Sequence, residues 1–214
     1  MQRGAKFGKN GFTLIEVLVV LLLISLLVAA VVPQVAQQTD EAEPVRAAAD
    51  LAAVKTGLEA FKVNVRVFPS DLEDLANKIS TSDENVNGTT YASKFVDRWL
   101  GPYIDKAFAA GNDVTQADAF ETGFDGQVQK KPACYHADST TITAFEEAGA
   151  SGACDTGEFV AILITGLSST EFESLNDIID GEAETSTNTT GRLRSFINGT
   201  APDTVFFLAV PFTE

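Results

Sequence analysis

Residues 12–32 read FTLIEVLVVLLLISLLVAAVV, and this segment decides the organisation of the whole chain. Its only charged residue is Glu16. At about 1.5 Å of rise per residue, a helix of this length spans roughly 30 Å, the thickness of the hydrocarbon core of a bilayer. The segment therefore predicts a transmembrane helix whose early glutamate needs a physical explanation.

Basic residues precede the apolar segment, since Arg3, Lys6 and Lys9 lie in a leader that contains no acidic residue. The positive-inside rule then keeps the leader in the cytoplasm and sends the remainder across the membrane. A secretory signal peptide is the alternative, because Ala29 and Ala30 resemble a cleavage site. The apolar run is longer than the roughly 7 to 15 residues of such peptides, so we favour a membrane anchor.

The charge of the chain argues against one class of partner. The sequence has 15 Lys and Arg residues against 30 Asp and Glu residues, a formal net charge of -15. A nucleic-acid surface needs clustered basic side chains that neutralise phosphates. We therefore expect no nucleic-acid binding and a solvated acidic exterior.

The order of a basic leader, Gly11, the sequence FTLIEV and a long aliphatic run resembles the processing motif of type IV prepilins and the related pseudopilins. The resemblance extends over residues 6–38. It implies that a membrane aspartyl peptidase, the prepilin peptidase, cleaves between Gly11 and Phe12 and methylates the new amine of Phe12. Residues 1–11 are then a cytoplasmic leader peptide that is removed.

Glu16 has two interpretations in such a chain. A carboxylate within a membrane is unfavourable and usually marks a function or a partner. Locally, Glu16 lies one turn after Phe12, where the helix dipole and exposed amides favour an anion. The resemblance implies a second role in filament assembly, in which Glu16 pairs with the Phe12 amine of a neighbouring subunit. We favour this intersubunit pair, and the local role is compatible with it.

Helical periodicity continues beyond the membrane segment. An apolar stripe at spacings of three and four residues is formed by Leu51, Val54, Leu58, Phe61 and Val65. This spacing predicts an amphipathic helix with one face against a globular head. We therefore predict one helix over about residues 12–62, with residues 12–32 in the membrane or the filament core. Pro33 predicts a kink or local melting, because proline lacks a backbone donor.

Residues 63–214 are predicted to form the head. Two sequences typical of a capping box, Ser70 with Glu73 and Ser168 with Glu171, predict helices over residues 71–79 and 168–181. Runs of β-branched and aromatic residues predict strands at 158–165, 192–196 and 204–212. The fold class is therefore α+β, with an antiparallel sheet packed on the C-terminal half of the long helix, which agrees with the pilin architecture that the resemblance implies.

Cys134 and Cys154 are the only cysteines. A head outside the inner membrane lies in an oxidising compartment, so we expect a disulfide between them. The alternative is a metal site formed by Cys134 and His136, but no second pair of ligands has suitable spacing. We expect no bound metal ion.

Catalytic chemistry is not expected either. His136 is the only histidine, no glycine-rich phosphate loop is present, and the acidic residues are spread along loops. The chain is therefore predicted to be neither an enzyme nor a cofactor-binding protein.

Two functions agree with the resemblance. One is a structural subunit of a type IV pilus on the cell surface, and the alternative is a pseudopilin of a type II secretion system. The size of the chain favours the pilus, as does the absence of the proline, tryptophan and glycine signature that marks the calcium site of major pseudopilins. Expected partners are further copies of the subunit, the prepilin peptidase and the inner-membrane assembly platform. The subunit is expected in the inner membrane before assembly and in an extracellular pilus or periplasmic pseudopilus afterwards.

Overall fold

The computed structural model describes residues 12–105, 127–129, 131–136, 145–147, 157–181, 191–197 and 202–212. The chain divides into two units, residues 1–42 and residues 43–214. The predicted division into leader, long helix and head stays a prediction.

Helix α1 spans Leu14–Val65 and includes both Pro33 and Pro44 without interruption. The kink at Pro33 stays a prediction. The helix ends where Arg66 adopts a φ of 77°, in the left-handed region, while its amide still donates to the carbonyl of Lys62 at 2.9 Å. A non-glycine residue rarely adopts this conformation, so Arg66 marks a sharp end to the helix.

In the first unit, the part of α1 at Leu14–Val32 is long and apolar enough to cross a membrane. None of this stretch is buried within the structure, and leucine and valine side chains along it are about half or more exposed. Such a contiguous apolar surface is incompatible with contact with water alone and indicates a membrane or a protein partner.

In the second unit, the apolar stripe of α1 forms the centre of the core. Each of its five side chains is at most 1% exposed. They belong to one cluster with Val160 and Ile162 from the middle of the sheet and with Val205 and Phe207 from the strand beside it. The predicted packing of an amphipathic helix on a sheet is therefore confirmed.

The described strands form one antiparallel sheet of six strands. They are β1 (Gln127–Val128), β2 (Ala133–His136), β3 (Phe145–Glu147), β4 (Glu158–Thr165), β5 (Leu193–Ile197) and β6 (Pro202–Pro211). The order is β3-β2-β4-β6-β5, and β1 pairs with the end of β4. The three predicted strands correspond to β4, β5 and β6, and the α+β fold class is confirmed.

Helix α3, Ser169–Ile179, connects β4 to β5. Its predicted capping box is present, because Ser168 accepts from the Glu171 amide and the Glu171 carboxylate accepts from the Ser168 amide. Since β6 lies between β4 and β5 and runs antiparallel to both, β4 and β5 are parallel and need this crossing connection.

The predicted helix over residues 71–79 is only a single 3-10 turn at Leu72–Leu75, and its predicted cap is wrong. Asp71 caps the turn by accepting from the Glu73 amide at 2.8 Å. The hydroxyl of Ser70 instead donates to the carbonyl of Glu84 at 2.8 Å. The side chain that was expected to cap the helix is therefore bonded to a residue distant in sequence. A further short helix, α2, spans Ser93–Val96.

Candidate functional site

The N-terminal end of α1 carries a capping box that the sequence analysis did not recognise. The Glu16 carboxylate accepts from the amide of Thr13 at 3.0 Å and from its hydroxyl at 2.9 Å. In return, Thr13 Oγ1 accepts from the Glu16 amide at 3.3 Å. These reciprocal bonds satisfy amides that the first helical turn leaves unpaired. Glu16 therefore has a concrete local partner, and the signal for it was the spacing of threonine and glutamate.

The capping box lies among exposed apolar side chains. Phe12 is 87% exposed, and together with Ile15, Val19 and Val20 it lines a shallow apolar groove along α1 that also includes Glu16. The carboxylate therefore lies at the edge of an exposed apolar surface, which is unfavourable in water. Gly11 lies outside the described residues, so cleavage after it, methylation of Phe12 and pairing of Glu16 between subunits all stay predictions.

A second polar feature, in the second unit, is an acidic cleft of about 430 Å³. It is lined by Ser70, Asp71, Glu73, Asp74, Asn77, Lys78, Asp83 and Glu84. Five of these residues are acidic and one is basic, so the cleft concentrates the negative charge of the chain.

Asp74 is the buried acidic residue of this cleft, with 8% of its surface exposed. Its carboxylate accepts from the hydroxyl of Tyr91 at 3.3 Å, and its backbone carbonyl accepts from the indole of Trp99 at 2.9 Å. Burial, together with the nearby charges of Asp71 and Asp83, raises the pKa of Asp74 to about 8. Burial and the adjacent Asp74 also raise the pKa of Tyr91. Asp74 is therefore largely protonated at neutral pH.

Two carboxylates of the cleft stabilise the backbone around them. Asp71 caps the 3-10 turn, and Asp83 accepts from the amide of Ser80 at 2.7 Å. Within the described residues, no group of His, Cys, Asp and Glu is arranged to hold a metal ion. The cleft is best understood as a structured negative surface, and sequence reasoning missed it because its members come together only through the fold.

Trp99 and Tyr103 pack beneath this region. Their rings meet edge to face with centroids 5.6 Å apart, and Tyr103 makes a second edge contact with Phe61 of α1 at 5.5 Å. The two aromatic residues therefore fasten the segment that follows α2 to the long helix.

Cys134 lies buried on β2 and is a bonded rather than a free cysteine. Cys154 lies outside the described residues, as does the side chain of His136, so the pairing of the two cysteines stays a prediction.

Comparison with known proteins accounts for more than half of the chain. The model of the prokaryotic N-terminal methylation motif matches residues 6–32, and the model of type II secretion system protein G matches residues 34–135. The type II secretion system core protein G of Pseudomonas aeruginosa is 34% identical over 125 residues, which cover 56% of this chain and 86% of that protein. The chain belongs to the type II secretion system protein G family.

Two further members of this family match over a similar length at lower identity. Core protein G of Aeromonas hydrophila is 27% identical over 125 residues, covering 56% of this chain and 85% of that protein. Core protein G of Vibrio cholerae is 29% identical over 124 residues, covering 56% of this chain and 83% of that protein. No solved structure matches the chain significantly.

These matches confirm the resemblance to pilins and pseudopilins, and they favour the alternative function, the pseudopilin, over the pilus subunit. The size of the chain was a misleading guide, because residues 136–214 lie outside both family models. Strands β3, β4, β5 and β6 and helix α3 belong to this additional part.

Proposed function

We propose that the chain is the pseudopilin subunit of a type II secretion system, which polymerises into a short periplasmic filament. The observation that carries the proposal is membership of the protein G family, supported by a match to the methylation motif whose residues include an exposed apolar helix. The role is structural, and the chain's own chemistry is limited to folding, insertion and assembly.

The exposed part of α1 explains how such a subunit exists in two states. In the membrane, lipid tails cover the apolar side chains between Leu14 and Val32. In a filament, the same side chains of neighbouring copies cover one another. Moving from one apolar environment to the other costs little, so packing and polar contacts between copies decide whether the filament forms.

Glu16 supplies such a polar contact in this proposal. The capping box with Thr13 holds its carboxylate near the start of the helix, close to the residue that carries the new amine after cleavage. When subunits pack, the carboxylate of one copy pairs with the Phe12 amine of another. The resulting charge pair is buried among apolar side chains, where it is far stronger than in water.

The expected partners follow from this cycle. The prepilin peptidase removes residues 1–11 and methylates Phe12, and the inner-membrane assembly platform adds mature subunits to the filament. The mature subunit resides in the inner membrane until it is assembled into the periplasmic pseudopilus. An extracellular type IV pilus remains the competing destination.

The test is to delete the chain in its own host and to measure two outputs in the same cultures. Enzymes exported by type II secretion should accumulate in the periplasm, and the intact chain supplied in trans should restore their release. A Gly11→Leu chain, matched in expression, is the control that is made but not processed. Normal secretion with loss of surface filaments would contradict the proposal and favour the type IV pilus.

A further inference from the structure

A second polar groove, which carries two arginines and one aspartate, lies at the end of α1. It has a volume of about 440 Å³ and is lined by Val63, Asn64, Arg66, Asp97, Arg98 and Leu100. None of these residues lines the acidic cleft. We call it the arginine groove.

The arginine groove has the composition of a contact surface. Val63 is 66% exposed and Leu100 is 74% exposed, so two large apolar side chains face solvent beside two guanidinium groups. Arginine and apolar side chains are the combination that protein interfaces favour. Arg66 and Arg98 are both exposed, and among the described residues neither takes part in an ion pair.

A partly buried tyrosine hydroxyl bridges the two walls of the groove. The Tyr103 hydroxyl accepts from the amide of Leu100 at 2.9 Å and from the side chain of Asn64 at 3.2 Å. The first bond ties the segment after α2, and the second ties the last turn of α1. Because both walls meet at one hydroxyl, the two arginines are presented on a prepared surface, which lowers the entropy lost on binding.

The charge of the chain identifies the occupant. With a formal net charge of -15, copies of the chain repel one another, so close packing of many copies needs local attraction. The acidic cleft offers exposed Glu84 together with Asp71 and Glu73. The lining of the arginine groove is net positive, because its two arginines outnumber the single Asp97. Complementary patches of this kind fix the register between partners.

We propose that the arginine groove of one copy docks on the acidic cleft of the next copy in the filament. Because the two surfaces are different, the contact is heterologous and can repeat from copy to copy along an open helix. This contact rests on the proposed function, since it requires a filament, but it concerns the second unit and is separate from the packing of the apolar helices. Placing a cation beside the cleft also offsets the repulsion among its carboxylates.

Two side chains allow a clean test. Arg98 and Glu84 are both exposed, and neither side chain makes a hydrogen bond within the described part of the chain. The full chain is expressed in its host, at a raised level where needed, and filaments are recovered from the cells by shearing. Arg98→Glu and Glu84→Arg should each lower the filament yield by about tenfold. The double variant, in which the charges are exchanged, should recover to within about threefold of the parent.

Matched controls reverse the same charges elsewhere. Lys94→Glu on α2 and Glu173→Arg on α3 change exposed residues outside both surfaces, and their filament yields should stay within about twofold of the parent. Cleavage and the amount of mature chain in the membrane are measured in every strain. If a reversal lowers that amount, Arg98→Gln and Glu84→Gln are used, and their double variant should be no worse than either single one.

Normal yield from both single reversals, or no recovery in the exchanged double variant, would overturn the contact. A normal filament yield with impaired secretion would show that the groove binds another partner, and it would also overturn the proposed contact between copies. A parent chain that is cleaved and abundant but forms no filaments would refute the proposed function, and this contact with it.

Discussion

Asp74→Asn is expected to remove a pH-dependent loss of stability from the second unit. The native carboxyl is buried beside Tyr91 and close to other acidic side chains, so that its pKa is about 8 instead of the ordinary 3.8. A raised pKa means that the folded state holds a proton which the unfolded state releases. The stability that this carboxyl contributes is complete below about pH 4 and is lost as the pH rises through about 8.

The size of the effect follows from proton linkage. Between pH 5 and pH 7 the native carboxyl keeps its proton, while the unfolded one is ionised. The free energy of unfolding then falls by about 1.4 kcal/mol per pH unit, or about 2.7 kcal/mol over this range. The asparagine amide does not titrate and still accepts from Tyr91, so the variant should lack this part of the slope.

Trp99 makes the measurement specific. It is the only tryptophan in the sequence, and its indole bonds to the carbonyl of Asp74, so its fluorescence reports unfolding next to the altered group. Urea unfolding of the detergent-solubilised mature chain would be followed at pH 5, 6 and 7. Glu84→Gln, an exposed residue of the same cleft, should keep the slope of the parent. Equal slopes for the parent and Asp74→Asn would refute the reasoning.

Three further predictions concern assembly and the disulfide. Glu16→Gln keeps a residue suited to the capping box and should be cleaved normally, but it should abolish filaments, whereas Thr13→Val should retain them. If shearing releases filaments from the Glu16→Gln strain, Glu16 has only its local role as a helix cap. Gly11→Leu should leave a longer, membrane-bound precursor on immunoblots, because glycine lets the backbone approach the peptidase closely, and mature-sized protein would contradict this. Cys134→Ser should lower the stability of the second unit by about 3 kcal/mol, measured as a lower melting temperature, and two titratable thiols in native filaments would disprove the disulfide.

Sequence reasoning succeeded where structure depends on neighbouring residues. The apolar stripe of α1 is a periodic signal, and all of its members are buried. The box of Ser168 and Glu171 was predicted because both partners lie within one turn. Strand β4 has the predicted limits, since an unbroken apolar run beside Gly166 leaves few other conformations.

It failed where partners are distant in sequence. The three short strands β1, β2 and β3 are defined by pairing with one another or with β4 and carry weak signals of their own. Asp74 meets Tyr91 and Trp99 across 17 and 25 residues, so the acidic cleft has no local signature. The arginine groove likewise combines the end of α1 with the segment after α2.

The position of β6 sets an order of events for the nascent chain. Synthesis delivers α1 first, yet β4 and β5 both pair with β6, Pro202–Pro211, which comes last among the described strands. Until then, both neighbours of β6 have edges without a partner, and such edges invite pairing with other chains. Each chain therefore passes through an interval in which these edges are exposed to other chains, and slow completion of the C-terminal strand lengthens that interval.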